Sequence, residues 1–140
     1  MNTLSPGPNT PQPRHVLIPR HVLIIDDESL ILAVLSKQLE LIGVNRITEA
    51  TDGTMGLQKV RAQPPDLIIC DINMRGTGGV AFVRDLRQMP APACDIPVIL
   101  LTADVEMPAA CKDARLHVNG FLVKPVSTTA LRRAIDLALA

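Results

Sequence analysis

Short apolar runs alternate with segments of helical period from residue 22 onward, and this alternation limits the possible folds more than any other feature. We predict strands at residues 22–25, 44–48, 67–70, 98–101 and 121–123. Strands that alternate with helical segments are typical of a parallel sheet with helices on both faces. The sequence therefore predicts an α/β fold with a doubly wound, five-stranded parallel sheet.

Five amphipathic segments fit helices that follow these strands. The first ends at Gly43, a residue suited to a left-handed C-terminal cap, and we expect an inward stripe of Leu30, Ile31, Val34, Leu35, Leu41 and Ile42. The next three are predicted at 53–62, 79–88 and 106–116, and the fifth begins after Ser127, a good N-cap. This order indicates the flavodoxin-like architecture, with strand order 2-1-3-4-5 and sites beyond the carboxyl ends of the strands.

Length and charge exclude several classes of function. The 140 residues suit one globular domain, which we place at 20–140 after a disordered, proline-rich leader at 1–19. Lys plus Arg equal Asp plus Glu at 14 each, so we expect neither direct nucleic-acid binding nor membrane binding. The longest apolar run, 30–35, is far shorter than the roughly 20 residues of a membrane-spanning helix.

Neither the cysteines nor the histidines show the spacing of a metal site. An odd number of widely spaced cysteines suits free thiols in a reducing compartment, so we expect a cytoplasmic protein with free Cys70, Cys94 and Cys111. We expect surface or edge positions for His15, His21 and His117.

Polar side chains stand at the predicted carboxyl ends of four neighbouring strands: Asp26 and Asp27, Asp71, Thr102 and Lys124. They can converge on one pocket. Three carboxylates brought together repel one another unless a cation compensates, and Mg²⁺ prefers such oxygen ligands. Phosphoryl transfer needs a metal, a lysine and a hydroxyl donor around an in-line nucleophile, and a carboxylate such as Asp71 can form an acyl phosphate.

Four segments resemble the receiver domain of bacterial response regulators, over roughly residues 20–140: HVLIIDDES, LIICDINMRGTGG, PVILLTAD and GFLVKP. The resemblance implies a two-component signalling protein with Asp71 as the phosphoacceptor. It implies Mg²⁺, for which Mn²⁺ can substitute, bound by Asp26, Asp27, Asp71 and the backbone carbonyl of Asn73. It also implies phosphoryl contacts from Lys124 and Thr102, and a cis bond before Pro125.

The same resemblance implies the partners. A histidine kinase or histidine phosphotransfer protein would donate the phosphoryl group, and no external substrate would be turned over. Thr102 and Phe121 would form the switch, although Phe121 could equally be a core residue. The fourth helix, fifth strand and fifth helix would form the output face, with homodimerisation on phosphorylation as a further possibility. Asn73 and Asp104 occupy positions that tune hydrolysis in the family.

Two departures and two alternatives remain. Arg75 stands where the family usually has proline, and Phe121 lacks the hydroxyl of the commoner tyrosine. A phosphorylation-independent pseudo-receiver is one alternative, although such modules tend to lose an acidic, threonine or lysine position. A metal-dependent aspartyl phosphatase is the other, although its nucleophile usually follows the first strand. The glycines of residues 76–81 fit a relaxed dinucleotide fingerprint, but they begin too far behind the strand for that role.

Overall fold

A computed structural model describes residues 17–76, 78–103 and 113–140, so the predicted leader lies mostly outside the described part. The sheet is parallel throughout, in the order β2-β1-β3-β4-β5, which confirms the predicted fold. Its strands are β1 (His21–Ile25), β2 (Arg46–Ala50), β3 (Leu67–Asp71), β4 (Val98–Thr102) and β5 (Gly120–Val123).

Four α-helices are described: α1 (Ser29–Ile42), α2 (Gly53–Ala62), α3 (Gly79–Arg87) and α4 (Thr128–Leu139). The last of these is the fifth helix of the prediction, and the hydroxyl of Ser127 caps it by accepting from the Ala130 amide at 3.0 Å. Of the helix predicted at 106–116, residues 106–112 lie outside the described residues, and Ala114–Leu116 form a 3-10 turn. No described helix is long and apolar enough to cross a membrane.

The apolar core forms one layer on each face of the sheet. Side chains of α1 and α4 pack on one face, and side chains of α2 and α3 pack on the other. The three inner strands, β1, β3 and β4, are buried at every position, which explains why their sequences are almost continuously apolar. This burial fixes the register of the inner strands and therefore the positions of the residues at their carboxyl ends.

Strand β2 begins two residues later than predicted. Val44 is buried, but its amide donates to the Leu39 carbonyl at 2.9 Å and so completes the end of α1, where Gly43 adopts a φ of 115°. Val44 is apolar because it packs in the core at the end of α1, and not because it belongs to β2. Because β2 is an edge strand with mostly exposed or half-buried residues, its sequence pattern is too weak to locate its start.

The predicted inward stripe of α1 is wrong at three positions. Leu30, Val34 and Leu41 are 73%, 46% and 66% exposed. The buried positions of the helix are Leu32, Leu35, Leu39 and Ile42. Apolar residues occur on nearly every side of α1, so their spacing alone could not identify the side that packs on the sheet.

Arg87, at the end of α3, connects the segments that precede β4 and β5. Its half-buried guanidinium group donates to four backbone carbonyls at 2.7 to 3.0 Å: those of Cys94, Ile96, Leu116 and His117. The planar group has enough fixed donors to satisfy all four acceptors. These bonds hold the starts of two strands whose other ends carry Thr102 and Lys124.

His21 is buried in β1, which corrects the expectation of a surface or edge position. Its Nε2 lies 2.7 Å from the hydroxyl of Thr48 on β2, and its Nδ1 has no hydrogen-bond partner among the described residues. Burial and the charge of Arg46 lower the pKa of His21, and they outweigh the opposing charge of Asp66. The folded protein therefore favours the neutral imidazole.

We predict that His21 makes folding less stable in acid. As the pH falls below 6.5, the unfolded chain takes up a proton at this histidine before the folded chain does, which lowers the free energy of unfolding. The loss is at most about 1.4 kcal/mol per pH unit. Urea unfolding of wild type and His21→Gln between pH 7.5 and pH 5.5 should show a smaller loss in the variant, and parallel pH profiles would contradict the prediction.

Candidate functional site

Four strand ends bring the predicted residues together at one edge of the sheet. Asp26 follows β1 directly, Asp71 ends β3, Thr102 ends β4, and Lys124 follows β5. Carboxylate oxygens of Asp26, Asp27 and Asp71 lie within 4.8 Å of one another. Asp26 and Asp71 are 0% and 3% exposed, whereas Asp27 is more accessible, so two negative charges are taken out of water at this edge.

Lys124 is the cation at the centre of this group. Its Nζ lies 3.0 Å from Asp26 Oδ2 and 3.3 Å from Asp71 Oδ1, and its side chain is 15% exposed. Burial opposes the charged form, but the bonds and charges of Asp26 and Asp71 outweigh it and raise the pKa of Lys124. The ammonium group therefore connects the end of β5 to the ends of β1 and β3, neither of which is adjacent to β5 in the sheet.

A fourth carboxylate that the sequence analysis did not select belongs to the same group. Glu28 Oε1 lies 3.8 Å from Lys124 Nζ on an exposed side chain. The backbone amide of Glu28 donates to Asp26 Oδ1 at 2.9 Å, which fixes the turn between β1 and α1. The sequence signal that could have identified Glu28 is its position directly after Asp26 and Asp27.

The electrostatics distinguish Asp71 from an ordinary surface carboxylate. Burial is the largest cause that raises its pKa, the charge of Asp26 adds to it, and Lys124 opposes both. Burial also raises the pKa of the neighbouring Cys70 thiol, whose Sγ donates to the Asp71 carbonyl at 3.4 Å. The thiol therefore stays protonated and acts as a small packed side chain.

The loop after β3 closes over the carboxylates through backbone amides. The amide of Asn73 donates to Asp71 Oδ1 at 3.4 Å, and the amide of Arg75 donates to Asp27 Oδ2 at 3.1 Å. A proline at position 75, as the resembled family usually has, could not make the second bond because it has no amide hydrogen. The departure at Arg75 therefore adds a contact to an acidic side chain of the site.

The comparisons with known proteins agree with this geometry. The family described as response regulator receiver domain matches residues 22–136. A chemotaxis protein CheY of Rhizobium etli is 33% identical over 82% of this chain and 88% of its own length. The transcriptional regulatory protein GlrR of Escherichia coli is 34% identical over 86% of this chain but only 26% of its own length. The crystal structure of CheY4 of Vibrio cholerae superposes with a TM-score of 0.76 at 27% identity, over 84% of this chain and 97% of that one.

The chain belongs to the response-regulator receiver domain family. Receiver domains are signalling domains of two-component systems. The GlrR match shows the same domain as part of a longer regulator, whereas the CheY matches are close to this chain in length.

The two residues of the predicted switch lie on adjacent strands of this receiver domain. Thr102 is 2% exposed, and its carbonyl accepts from the Lys124 amide at 2.8 Å. Phe121 is half-buried and packs against the core layer of α2 and α3. The Lys124–Pro125 bond is cis, as the resemblance implied. The Ala91–Pro92 bond is also cis. Asp104 lies outside the described residues.

The oxygen ligands at this edge fit a hard divalent cation. Three carboxylates lie close enough to share one ion, and Asp26 Oδ2 is a buried oxygen whose contact is the ion pair with Lys124. Mg²⁺ and Mn²⁺ both take carboxylate and carbonyl oxygens, and no sulfur or imidazole ligand competes among the described residues of the cluster.

Gly79, which the sequence analysis placed at the start of a helix, allows α3 to approach the end of β3. A Cβ atom there would lie 2.4 Å from the carbonyl oxygen of Asp71 and 2.9 Å from the Cα of Ile72. Both obstacles are backbone atoms, so a larger side chain cannot be accommodated by a rotamer change. The glycine therefore serves close packing of α3 against the end of β3.

We predict that Gly79→Ala destabilises the fold and displaces Asp71. The added methyl group must push α3 away from the end of β3, at a cost of about 1–3 kcal/mol in the free energy of unfolding. Gly120→Ala is the matched control, because its Cβ would lie 3.6 Å from Ile99 and should change stability by less than about 0.5 kcal/mol. Urea unfolding of both variants checks the difference, and equal stabilities would refute the close-packing argument.

Proposed function

We propose that this receiver domain accepts a phosphoryl group on Asp71 from a phosphohistidine of a histidine kinase or a histidine phosphotransfer protein, with Mg²⁺ as the metal. The observation that carries the proposal is the pair of contacts from Lys124 Nζ to Asp26 and Asp71 across the sheet edge. A lysine held between a nucleophilic carboxylate and a metal-binding carboxylate is placed to neutralise a phosphoryl group that arrives there.

The contacts of Asp71 suggest which oxygen attacks. Oδ1 takes the Lys124 ammonium group and the Asn73 amide, whereas neither contact falls on Oδ2. Oδ2 would attack phosphorus in line with the departing imidazole nitrogen, so that an oxygen–phosphorus bond forms as the nitrogen–phosphorus bond breaks. Burial and Asp26 raise the pKa of Asp71, which makes its carboxylate more basic and favours nucleophilic attack.

The remaining residues would bind the metal and the transferred group. Asp26, Asp27, Asp71 and the Asn73 carbonyl would hold Mg²⁺, which supplies charge neutralisation of the phosphoryl oxygens. Three aspartates, one lysine and one divalent cation sum to zero formal charge. Lys124 would then pair with one phosphoryl oxygen, and the Thr102 hydroxyl would donate to another.

The output would follow from the position of Thr102 beside β5. If Thr102 moves toward the phosphoryl group, Phe121 on the adjacent strand gains room to turn inward. Thr102 and Phe121 would then change position together, as one two-state switch. The surface formed by the segment before β5, by β5 itself and by α4 would carry the change to an output protein or to a second copy of the domain. Val123, 43% exposed, lies on this surface.

We predict that Asp71→Asn abolishes phosphorylation. Wild type incubated with acetyl phosphate and Mg²⁺ should gain the mass of one phosphoryl group, because acetyl phosphate, like phosphohistidine, carries an activated phosphoryl group on a good leaving group. The gain should disappear without Mg²⁺ and in Asp71→Asn, and it should persist in Asp85→Asn, which replaces an exposed aspartate of α3. Intact-protein mass spectrometry measures all four samples.

The other outcomes of this experiment separate the alternatives. Absence of any mass gain in wild type would favour a pseudo-receiver that binds partners without phosphorylation. Continuous release of phosphate from an external phosphomonoester, faster than one equivalent per protein, would favour an aspartyl phosphatase.

We predict that Asn73→Lys lengthens the lifetime of the phosphorylated form without preventing its formation. The Asn73 side chain is exposed beside the site, while its contact to Asp71 uses the backbone amide, which a substitution keeps. A long side chain at this position would hinder the approach of water to the acyl phosphate. Decay measured by mass after removal of acetyl phosphate should be several-fold slower. Loss of labelling in the variant would contradict this role.

A further inference from the structure

A partly buried polar side chain on α1, that of Gln38, contacts the loop that carries Lys124. The Nε2 of Gln38 donates to the backbone carbonyl of Val126 at 2.7 Å, across 88 residues of sequence. The Oε1 of the same amide is buried and has no hydrogen-bond partner among the described residues. Among the described residues, the one hydrogen bond of the Gln38 side chain is therefore the long-range bond from its amide nitrogen.

The surroundings of this bond are apolar. Val126 packs against the core layer that α1 and α4 share, and the neighbouring helix position Leu39 is fully buried. A hydrophobic side chain at position 38 would suit this layer without burying an unsatisfied amide oxygen. The bond to the Val126 carbonyl gives this glutamine a role that an apolar side chain at the same position could not fill.

The bond completes a backbone clamp around Lys124. On one side, the Lys124 amide donates to the Thr102 carbonyl at 2.8 Å, which ties the lysine to the end of β4. On the other side, two residues later, Val126 is tied to α1 by Gln38. Helix α1 is itself fixed to the site, because the Glu28 amide at its N-cap donates to Asp26 Oδ1. One rigid element therefore joins the acidic pair to the lysine loop.

We infer that Gln38 is a positioning residue, which holds segment 124–126 so that Lys124 Nζ stays within reach of both Asp26 and Asp71. The consequence for phosphoryl transfer rests on the proposed function, but the consequence for the resting position of Lys124 does not. Gln38 touches none of the reacting groups and acts through the lysine loop.

The test uses Gln38→Met and Gln38→Glu in the full chain. Both side chains have nearly the length of glutamine, and neither the thioether nor the carboxylate can donate to the Val126 carbonyl. Ser36→Ala is the matched control on the same helix, because the Ser36 hydroxyl donates to Glu49 Oε2 at 2.8 Å, on β2 and away from the lysine loop. All proteins are studied at a temperature at which circular dichroism shows them folded.

The first readout is the position of the lysine loop in the unphosphorylated protein. Amide ¹H–¹⁵N chemical shifts of Lys124, Val126 and Ser127 should move in both Gln38 variants and stay at wild-type values in Ser36→Ala. Unchanged shifts in the Gln38 variants, or equal shifts in the serine control, would overturn the inference. This readout holds even if Asp71 proves not to be phosphorylated.

The second readout is the initial rate of Asp71 phosphorylation by acetyl phosphate at saturating Mg²⁺. Gln38→Met should lower this rate about tenfold, because small misplacements of a catalytic group cost factors of this size or more. In a Lys124→Ala background the same substitution should change the rate by less than about twofold, since coupled residues are not additive. A further tenfold loss in that background would show that Gln38 acts through general stability, and would overturn the positioning role.

Discussion

The burial of Asp26 and Asp71 side by side is the constraint on which the site depends. Two carboxylates with almost no exposure repel each other and lose hydration, so the fold must supply a positive charge between them. Lys124 supplies it from the far edge of the sheet, at 3.0 and 3.3 Å from the two carboxylates. The balance holds only if β1, β3 and β5 keep their relative positions. The parallel sheet, the Arg87 bonds before β4 and β5, and the Gln38 bond behind Lys124 all serve that alignment.

The sequence predicted the inner part of this arrangement because burial on both faces leaves a clear signature. Strands β1, β3 and β4 are buried throughout and apolar except at one end position each, and the polar residues at or after their carboxyl ends must emerge at one edge. The same logic failed where burial is partial. Edge strand β2 was placed two residues early, and the inward side of α1 was misidentified because Leu30, Val34 and Leu41 are apolar yet exposed. His21 was expected at a surface or edge position because the histidines show no metal-ligand spacing, yet it is buried in β1.

Residues that act through backbone atoms escaped prediction. Glu28 contributes its amide to Asp26, and Arg75 contributes its amide to Asp27. Any residue except proline offers the same amide, so the identity of the side chain says nothing about such a bond. Gly79 could not be identified from the sequence either, because its role is to leave space: an added Cβ would lie only 2.4 Å from the Asp71 carbonyl oxygen. Spacing within the sequence can place strand ends, but it cannot show which atoms beyond them meet.

The contacts of Lys124 link the charge of the site to the position of the lysine side chain. In the proposed transfer, an incoming phosphoryl group would compete with Asp26 and Asp71 for the single positive charge of Lys124. A divalent cation that shares the carboxylates would relieve this competition by compensating their charge. Under this proposal, the lysine would need a backbone that stays fixed while its side chain changes partner. The clamp formed by the Thr102 carbonyl before Lys124 and by Gln38 after it provides that fixed backbone, so the side chain alone has to move.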